Sequence, residues 1–117
     1  MTPLGQVYTP PAVAARIVGD HGVVRAWLEG ASVLDPTAGD GSFLEALVVC
    51  ALREGVAPSQ LPLHRLHGIE RNPLALRDFV ERLHARHGLR LPADNLRVVV
   101  LFEARNIPPV DWLVGNP

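Results

Sequence analysis

Apolar segments of two kinds alternate along the chain. The short ones, which are interpreted as strands, are residues 31–35, 63–70, 96–102 and 111–114. The run 96–102 is β-branched and does not alternate with polar residues, which is typical of a strand buried on both faces. The longer segments, 41–54 and 73–88, have the apolar content of packed helices. This order predicts an α/β fold with right-handed crossovers and a mostly parallel sheet.

Two further apolar faces precede the first strand and predict an N-terminal helical segment over residues 1–30. Thr9 is a good N-cap, and the prolines after it are tolerated in a first helical turn, so we expect a helix to start near Pro10. A second helical face over residues 23–28 is expected to end at Gly30.

Capping residues mark the ends of the two later helices. Gly55 is a stop for the first of them. Asn72 is an N-cap in front of Pro73, and Gly88 is expected to end the second helix. The apolar stripe of this second helix consists of Leu76, Phe79, Val80 and Leu83.

Length and composition favour one domain covering residues 1–117. Eleven basic residues, all arginine, stand against twelve acidic ones, so this chain by itself has no electrostatic signature of nucleic-acid binding. The lone Cys50 excludes an intrachain disulfide and fits a reducing compartment. No signal peptide is visible, and the apolar run 43–52 is too short to span a bilayer. We therefore expect a soluble, cytoplasmic protein with no membrane partner.

The stretch from Val33 to Phe43 has the pattern of a ligand loop. An apolar strand ends in Asp35, and Gly39 and Gly41 follow before a helix begins. A glycine loop at the carboxyl end of a strand lets a ligand approach the backbone closely. The strand over residues 63–70 also ends in a carboxylate, Glu70.

Two common nucleotide ligands fit this loop poorly. A dinucleotide fingerprint needs a third glycine where this chain has Leu44. A Walker-type phosphate loop needs a lysine, and the chain has none. An acid at the loop suits a cationic amino group, and a second acid suits ribose hydroxyls. S-adenosylmethionine (SAM) carries both groups.

At this point the sequence resembles the SAM-dependent N6-adenine DNA methyltransferases of restriction–modification systems, over nearly its whole length. Residues 5–10 (Gly-Gln-Val-Tyr-Thr-Pro) resemble the motif beside the methionine end of the cofactor. Residues 35–43 resemble the SAM loop, and residues 68–72 resemble the ribose-binding strand end. The resemblance implies a Rossmann-like methyltransferase fold with sheet order 3-2-1-4, SAM as cofactor and DNA as substrate.

The resemblance also gives roles to individual residues. It implies that Tyr8 and Thr9 hold the region of the methionine carboxylate of SAM. It implies further that Asp35 binds the amino group and that Glu70 binds the ribose. Glu103, where the family usually has Asp, would accept a hydrogen bond from the adenine N6 amine. The other cofactor-binding positions in these motifs are Pro36, Ala38, Gly39, Gly41, Phe43 and Arg71.

The last residues, 111–117, resemble the start of the family's catalytic Asn-Pro-Pro-aromatic motif, which makes Asn116 and Pro117 the catalytic candidates. In that motif, the Asn oxygen and a proline carbonyl accept hydrogen bonds from the amine of a flipped-out adenine, and the aromatic side chain stacks on the base. No metal and no covalent intermediate are required. Since the aromatic position lies beyond Pro117, we expect this chain alone to bind SAM without transferring a methyl group.

The complete family fold implies a further strand beside the fourth one. We therefore expect an open, apolar sheet edge, and with it self-association or a partner chain. Three alternatives stay open: a methyltransferase acting on protein glutamine or RNA, a non-catalytic SAM-binding or degenerate module, and a nicotinamide-dependent enzyme.

Single residues also have simpler interpretations. An acid at a strand end, a helix cap and an Asn-Pro turn each occur without any ligand, so the prediction depends on the order of the motifs. The histidine pairs His64/His67 and His84/His87 lack a third ligand and are interpreted as surface residues. Packing roles are expected for Trp27 and Trp112, and exposed helix pairs for Arg77–Glu81 and Asp78–Arg82.

Overall fold

The structure, a computed structural model, describes residues 22–36, 38–39, 41–99 and 110–114. Its helices are α1 (Val23–Leu28), α2 (Ser42–Arg53) and α3 (Pro73–His87). Its strands are β1 (Val33–Asp35), β2 (Leu66–Glu70), β3 (Leu96–Val98) and β4 (Trp112–Leu113). Short 3-10 turns occupy Pro58–Gln60, Leu63–Arg65 and Ala93–Asn95. Within these ranges, no helix has the length and apolar character needed to cross a membrane.

The described strands form one parallel sheet in the order β3-β2-β1-β4. Val33 of β1 pairs with Leu66 of β2 on one side and with Trp112 of β4 on the other. On β2, Gly68 pairs with Leu96 of β3. The α/β class predicted from the apolar pattern and the strand order implied by the resemblance are therefore confirmed.

Helices α2 and α3 pack on the same side of the sheet. The crossovers β1-α2-β2 and β2-α3-β3 step in the same direction, and right-handed connections then place both helices on one face. Direct contact agrees with this, because Nε of Arg82 on α3 donates a 2.9 Å hydrogen bond to Glu45 on α2. The core includes the fully or nearly fully buried Val33, Leu44, Leu47, Leu66, Phe79 and Leu83.

Helix α3 begins and ends where the sequence predicts. The Asn72 side chain accepts a 3.0 Å hydrogen bond from the amide of Leu74, and Pro73 is the first helical residue. At the other end Gly88 adopts a left-handed conformation with φ of 69°, and its amide bonds to the His84 carbonyl. Both capping predictions are confirmed.

Tryptophan packing is also confirmed for Trp27. Its side chain is completely buried, and Nε1 donates a 3.0 Å hydrogen bond to the carbonyl of Pro62. Trp112 is partly buried and packs against the core. Both rings therefore serve the fold, and for Trp27 burial of the polar N–H is balanced by an acceptor.

The first two strands are shorter than predicted. β2 begins at Leu66 and not at residue 63, because residues 63–65 form a 3-10 turn whose carbonyl at His64 accepts from Asn95. β1 begins at Val33 and not at residue 31, because the amide of Ser32 donates to the side chain of Asp111. Side-chain acceptors and donors thus replace ladder bonds at both strand starts.

The third strand differs most from expectation. Leu96 and Arg97 are only half-buried and Val98 is 48% exposed, so burial of both faces was wrong for the described part of β3. The physical reason is that β3 lies at the edge of the described sheet, beyond β2. The remainder of the predicted strand, residues 100–102, and the predicted helix start near Pro10 lie outside the described residues.

Candidate functional site

The sheet topology creates a switch point at the carboxyl end of β1. From β1 the chain moves through β2 to β3 in one direction, and β4 then lies on the other side of β1. Ligands of open parallel sheets bind in the crevice outside the strand carboxyl ends at such a point. The amide of Val114 donates to the Leu34 carbonyl over 3.0 Å, so β4 also ends at this crevice. Asp35, the last residue of β1, is completely buried there.

The loop after β1 is bonded to the end of β2. The amide of Ala38 donates a 2.8 Å hydrogen bond to the carbonyl of Ile69. The amide of Gly39 donates a 2.9 Å hydrogen bond to Oε1 of Glu70. The glycine loop therefore lies against the neighbouring strand, with consecutive amides attached to consecutive residues of β2.

Three glycines are required by this geometry. Gly39 has φ of 56° and Gly41 has φ of 80°, both in the left-handed region. A Cβ at Gly41 would also overlap ring atoms of Phe79 on α3. On β2, a Cβ at Gly68 would lie 3.1 Å from the Cβ of Ala38, so the glycine there lets the loop approach the strand.

The carboxylate of Glu70 joins the loops after β1 and β2. Oε1 accepts from the Gly39 amide, and Oε2 accepts a 2.8 Å hydrogen bond from the Asn72 amide. The Glu70 side chain is buried; its bond with the Gly39 amide is buried and its bond with the Asn72 amide is partly buried, and low solvent access strengthens such bonds. For Glu70 to bind ribose hydroxyls as predicted, it must accept them in addition to these amides or in exchange for them.

Asp35 and Glu70 project toward the same face of the sheet. Asp35 pairs in register with Gly68, and registered residues of parallel neighbours share a face. Glu70 lies two residues after Gly68 and so returns to that face. Although 35 and 70 are far apart in sequence, the two predicted acids lie on adjacent strands, one at each carboxyl end.

The structure thus brings one group of predicted site residues together and leaves a second group undescribed. Asp35, Pro36, Ala38, Gly39, Gly41 and Glu70 meet at the carboxyl ends of β1 and β2, with the exposed Arg71 next to them. Phe43 lies in the first turn of α2 and belongs to the buried core. Outside the described residues lie Tyr8, Thr9, Glu103, Asn116 and Pro117.

Beneath the loop lies a charged cluster that the sequence analysis did not predict. Glu45, on the first turns of α2, is 5% exposed and accepts hydrogen bonds from α3. The donors are Nε of Arg82 at 2.9 Å and Nη1 of Arg86 at 3.4 Å, and Nε2 of His87 lies 3.3 Å from the same carboxylate. The available signal was an acid inside an otherwise apolar helix segment, which in a packed helix demands a partner.

The electrostatic environment keeps Glu45 ionised. Burial acts to raise its pKa, but the hydrogen bond from Arg82 and the charges of Arg82 and Arg86 outweigh burial, with a further contribution from His87. The pKa of Glu45 therefore lies below its ordinary value. The cluster is a charge-compensated contact between two helices.

The histidine pairs do not form a larger ligand cluster in the described residues. His64 and His84 are exposed, and His67 and His87 are half-buried. Burial and the nearby charges of Arg97 and His64 lower the pKa of His67. Across the described ranges, no three His, Cys, Asp or Glu side chains are grouped so as to hold a metal ion.

Comparison with known proteins adds no relative: neither a scan against protein-family models nor a search of curated proteins found a match for this chain. The interpretation of the site therefore depends on its own geometry and on the motifs of the sequence.

Proposed function

We propose that this chain is the SAM-binding part of an N6-adenine DNA methyltransferase and that SAM binds at the carboxyl ends of β1 and β2. One observation carries the proposal: a buried carboxylate, Asp35, ends the strand at the topological switch point, and the glycine loop after it is tied to Glu70. A loop held in this way presents backbone rather than side chains to a ligand.

The residues present fit the functional groups of SAM. A buried carboxylate favours a cationic partner, and the amino group of SAM supplies one at Asp35. The left-handed backbone at Gly39 and Gly41 allows the ligand to approach the main chain. Glu70 offers the second carboxylate for the ribose on the same face. When bound, SAM supplies an electrophilic methyl group on its sulfonium.

The reaction and its substrate come from the sequence resemblance. In this proposal Asn116 and Pro117 accept hydrogen bonds from the amine of a flipped-out adenine and keep its lone pair directed at the methyl group. Tyr8 and Thr9 hold the methionine end of SAM, and Glu103 accepts a hydrogen bond from the N6 amine of the cofactor's adenine. These assignments concern residues outside the described ranges and follow from their motifs alone.

Association through the β4 edge belongs to the same proposal. β4 pairs with β1 on one side, and Leu113 on β4 is 67% exposed. An exposed apolar residue on β4, which lies at the edge of the described sheet, favours pairing with another chain. We expect light scattering to show a mass above that of the monomer, decreasing when Leu113 is replaced by Lys. A monomeric wild type at high concentration would contradict this part of the proposal.

Calorimetry tests the cofactor directly. We expect the wild type to bind SAM, and Asp35→Asn, which keeps the side-chain volume, to weaken binding at least about tenfold because the charge opposite the amino group is lost. Asp78→Asn, at an exposed position on α3, is the control and should bind as the wild type does. Binding of NADH in place of SAM would support the nicotinamide alternative, and no binding of either would support a degenerate module.

Labelled SAM with three substrates tests the substrate class. No transfer to any of the three is expected of the SAM-binding part alone. A methyl group on adenine of duplex DNA would overturn that expectation and support the DNA assignment. Transfer to RNA or to a glutamine-containing peptide, with none to DNA, would overturn the DNA assignment and leave the cofactor assignment standing.

A further inference from the structure

The glycine loop is held by β2 on one side, and the start of α2, which follows the loop, is held by α3. The amide of Glu45 donates a 2.8 Å hydrogen bond to the carbonyl of Gly41, so Glu45 lies one helical turn after the last loop residue. Its carboxylate is 7% exposed and receives Nε of Arg82 at 2.9 Å. The start of α2 is therefore connected to α3 by a buried, charge-assisted hydrogen bond.

The same region of α3 also contacts the loop itself. The ring of Phe79, 1% exposed, lies directly under Gly41, where a Cβ would overlap it. The guanidinium carbon of Arg82 lies 5.9 Å from the centroid of that ring, within the range of a cation–π contact. One arginine thus contacts both the ring beneath Gly41 and the carboxylate one turn beyond it.

These contacts restrain the loop in two directions. Phe79 sets how closely Gly41 approaches α3, and the Glu45–Arg82 bond limits sliding of α2 along α3. On the opposite side, Glu70 holds Gly39 against β2. A shift of the start of α2 would move Gly41 while Gly39 stays attached to Glu70, which changes the separation of the two glycines.

We propose that Glu45 and Arg82 are positioning residues for the ligand loop, acting through Gly41 and Phe79 without contacting the ligand. The inference rests on the proposed function insofar as the ligand is SAM. Small displacements of a binding loop have large effects on affinity, because preorganisation removes part of the ordering cost of binding.

A merely structural ion pair predicts a different result. Breaking a buried pair lowers global stability, and amides throughout the chain then lose hydrogen-exchange protection together. A positioning role predicts selective loss in the loop. Suitable loop reporters are the amides of Ala38, Gly39 and Gly41, which donate to Ile69, Glu70 and Ala38.

The experiment is amide exchange by NMR on the ligand-free chain, followed by calorimetry with SAM. The variants are Glu45→Gln, Arg82→Gln and their double mutant, with Arg82→Lys as a milder change that keeps the charge. Arg77→Gln is the matched control, because it breaks the exposed pair with Glu81 on the same helix. Reference amides are Val56, which follows α2 and donates to the Ala51 carbonyl, and Val114, which follows β4 and donates to the Leu34 carbonyl.

We expect Arg82→Gln to reduce protection of the loop amides about tenfold or more relative to Val56 and Val114, and SAM affinity to fall about tenfold. In the double mutant, the loss of loop protection should be smaller than the sum of the losses in Glu45→Gln and Arg82→Gln, because both single changes break the same Glu45–Arg82 bond. For Arg82→Lys, loop protection and SAM affinity should lie between those of the wild type and of Arg82→Gln. For Arg77→Gln, both should equal the wild-type values.

Equal loss at loop and reference amides would overturn the proposal, as would unchanged loop protection in Arg82→Gln and Arg82→Lys. Additive losses in the double mutant would also overturn it. If the wild type binds no SAM, the proposed function fails, while the exchange measurement on the ligand-free chain still decides whether the pair positions the loop.

Discussion

The main-chain amide of Gly39 donates a 2.9 Å hydrogen bond to Oε1 of Glu70, across 31 residues of sequence. This one bond connects the glycine loop after β1 to the end of β2. It gives Glu70 a structural role in the fold, in addition to the ribose contact proposed for it. Any loss of ligand affinity in a Glu70 variant therefore needs a separate measurement of folding.

Replacing Glu70 should destabilise the fold as well as the site. In Glu70→Ala the amides of Gly39 and Asn72 lose their buried acceptor, and we expect a loss of about 1–3 kcal/mol in the free energy of unfolding. Glu70→Gln retains one carbonyl acceptor and should lose less. Urea unfolding measures both. Glu81→Ala, which removes an exposed carboxylate, is expected to change stability by less than about 0.5 kcal/mol. Equal stability of Glu70→Ala and the wild type would show that the bonds from the Gly39 and Asn72 amides to Glu70 do not stabilise the fold.

Alanine substitutions at two glycines of similar backbone conformation distinguish the cost of backbone strain from the cost of steric overlap. Gly41 has φ of 80° and Gly55 has φ of 93°, so an alanine is strained at either position, by about 1–2 kcal/mol. Only at Gly41 does the new Cβ also overlap Phe79, while around Gly55 no heavy atom lies within 4 Å. We expect Gly41→Ala to cost a further 1–3 kcal/mol or so beyond Gly55→Ala in denaturant unfolding. Similar losses at the two positions would show that the ring moves aside.

Acid should lower the free energy of unfolding partly because it protonates Glu45. Its pKa is depressed in the folded chain, so its contribution is fully present above its ordinary pKa and is lost as the pH falls through the folded value. We expect the free energy of unfolding to decrease between about pH 5 and pH 3, and to decrease less in Glu45→Gln. Urea unfolding at a series of pH values measures this. Parallel profiles for the two proteins would mean that other carboxylates account for the acid sensitivity.

The start of β4 should depend on the Asp111 side chain. Its Oδ2 accepts from the amide of Ser32 at 2.9 Å and from the hydroxyl of Ser32 at 3.3 Å, and the amide of Trp112 donates to the Ser32 carbonyl. Asp111→Ala should destabilise the chain by about 1 kcal/mol and increase exchange of the Trp112 amide. Asp94→Ala, at an exposed turn position, serves as control. An unchanged Trp112 exchange rate would show that the main-chain bonds suffice.

What the sequence could predict was local. Apolar runs and caps predicted the α/β class, and Asn72 and Gly88 bound α3 as expected because a cap depends on the residues next to it. Gly39 and Gly41 predicted a loop with left-handed backbone, and the positive φ of both glycines confirms it. The position of the loop at a strand end followed from the same short stretch.

What required the tertiary structure was the choice of partner. The acceptor of the Gly39 amide, the ring beneath Gly41 and the donors to Glu45 all come from elements 31 to 42 residues away. Arg82 was assigned to an exposed pair with its helix neighbour Asp78, yet its Nε donates to Glu45 on another helix. Burial of β3 was also misjudged, because strand composition does not reveal that a strand lies at a sheet edge.

The physical reason is the range of the interactions. Helix periods, caps and turn glycines are set by backbone geometry within a few residues, so a single sequence is enough to determine them. Buried polar groups choose partners by which strands and helices become neighbours, and the order β3-β2-β1-β4 decides that. Asp35 and its glycine loop were therefore determined by the sequence, and their attachment to Glu70, Phe79 and α3 was decided only by the fold.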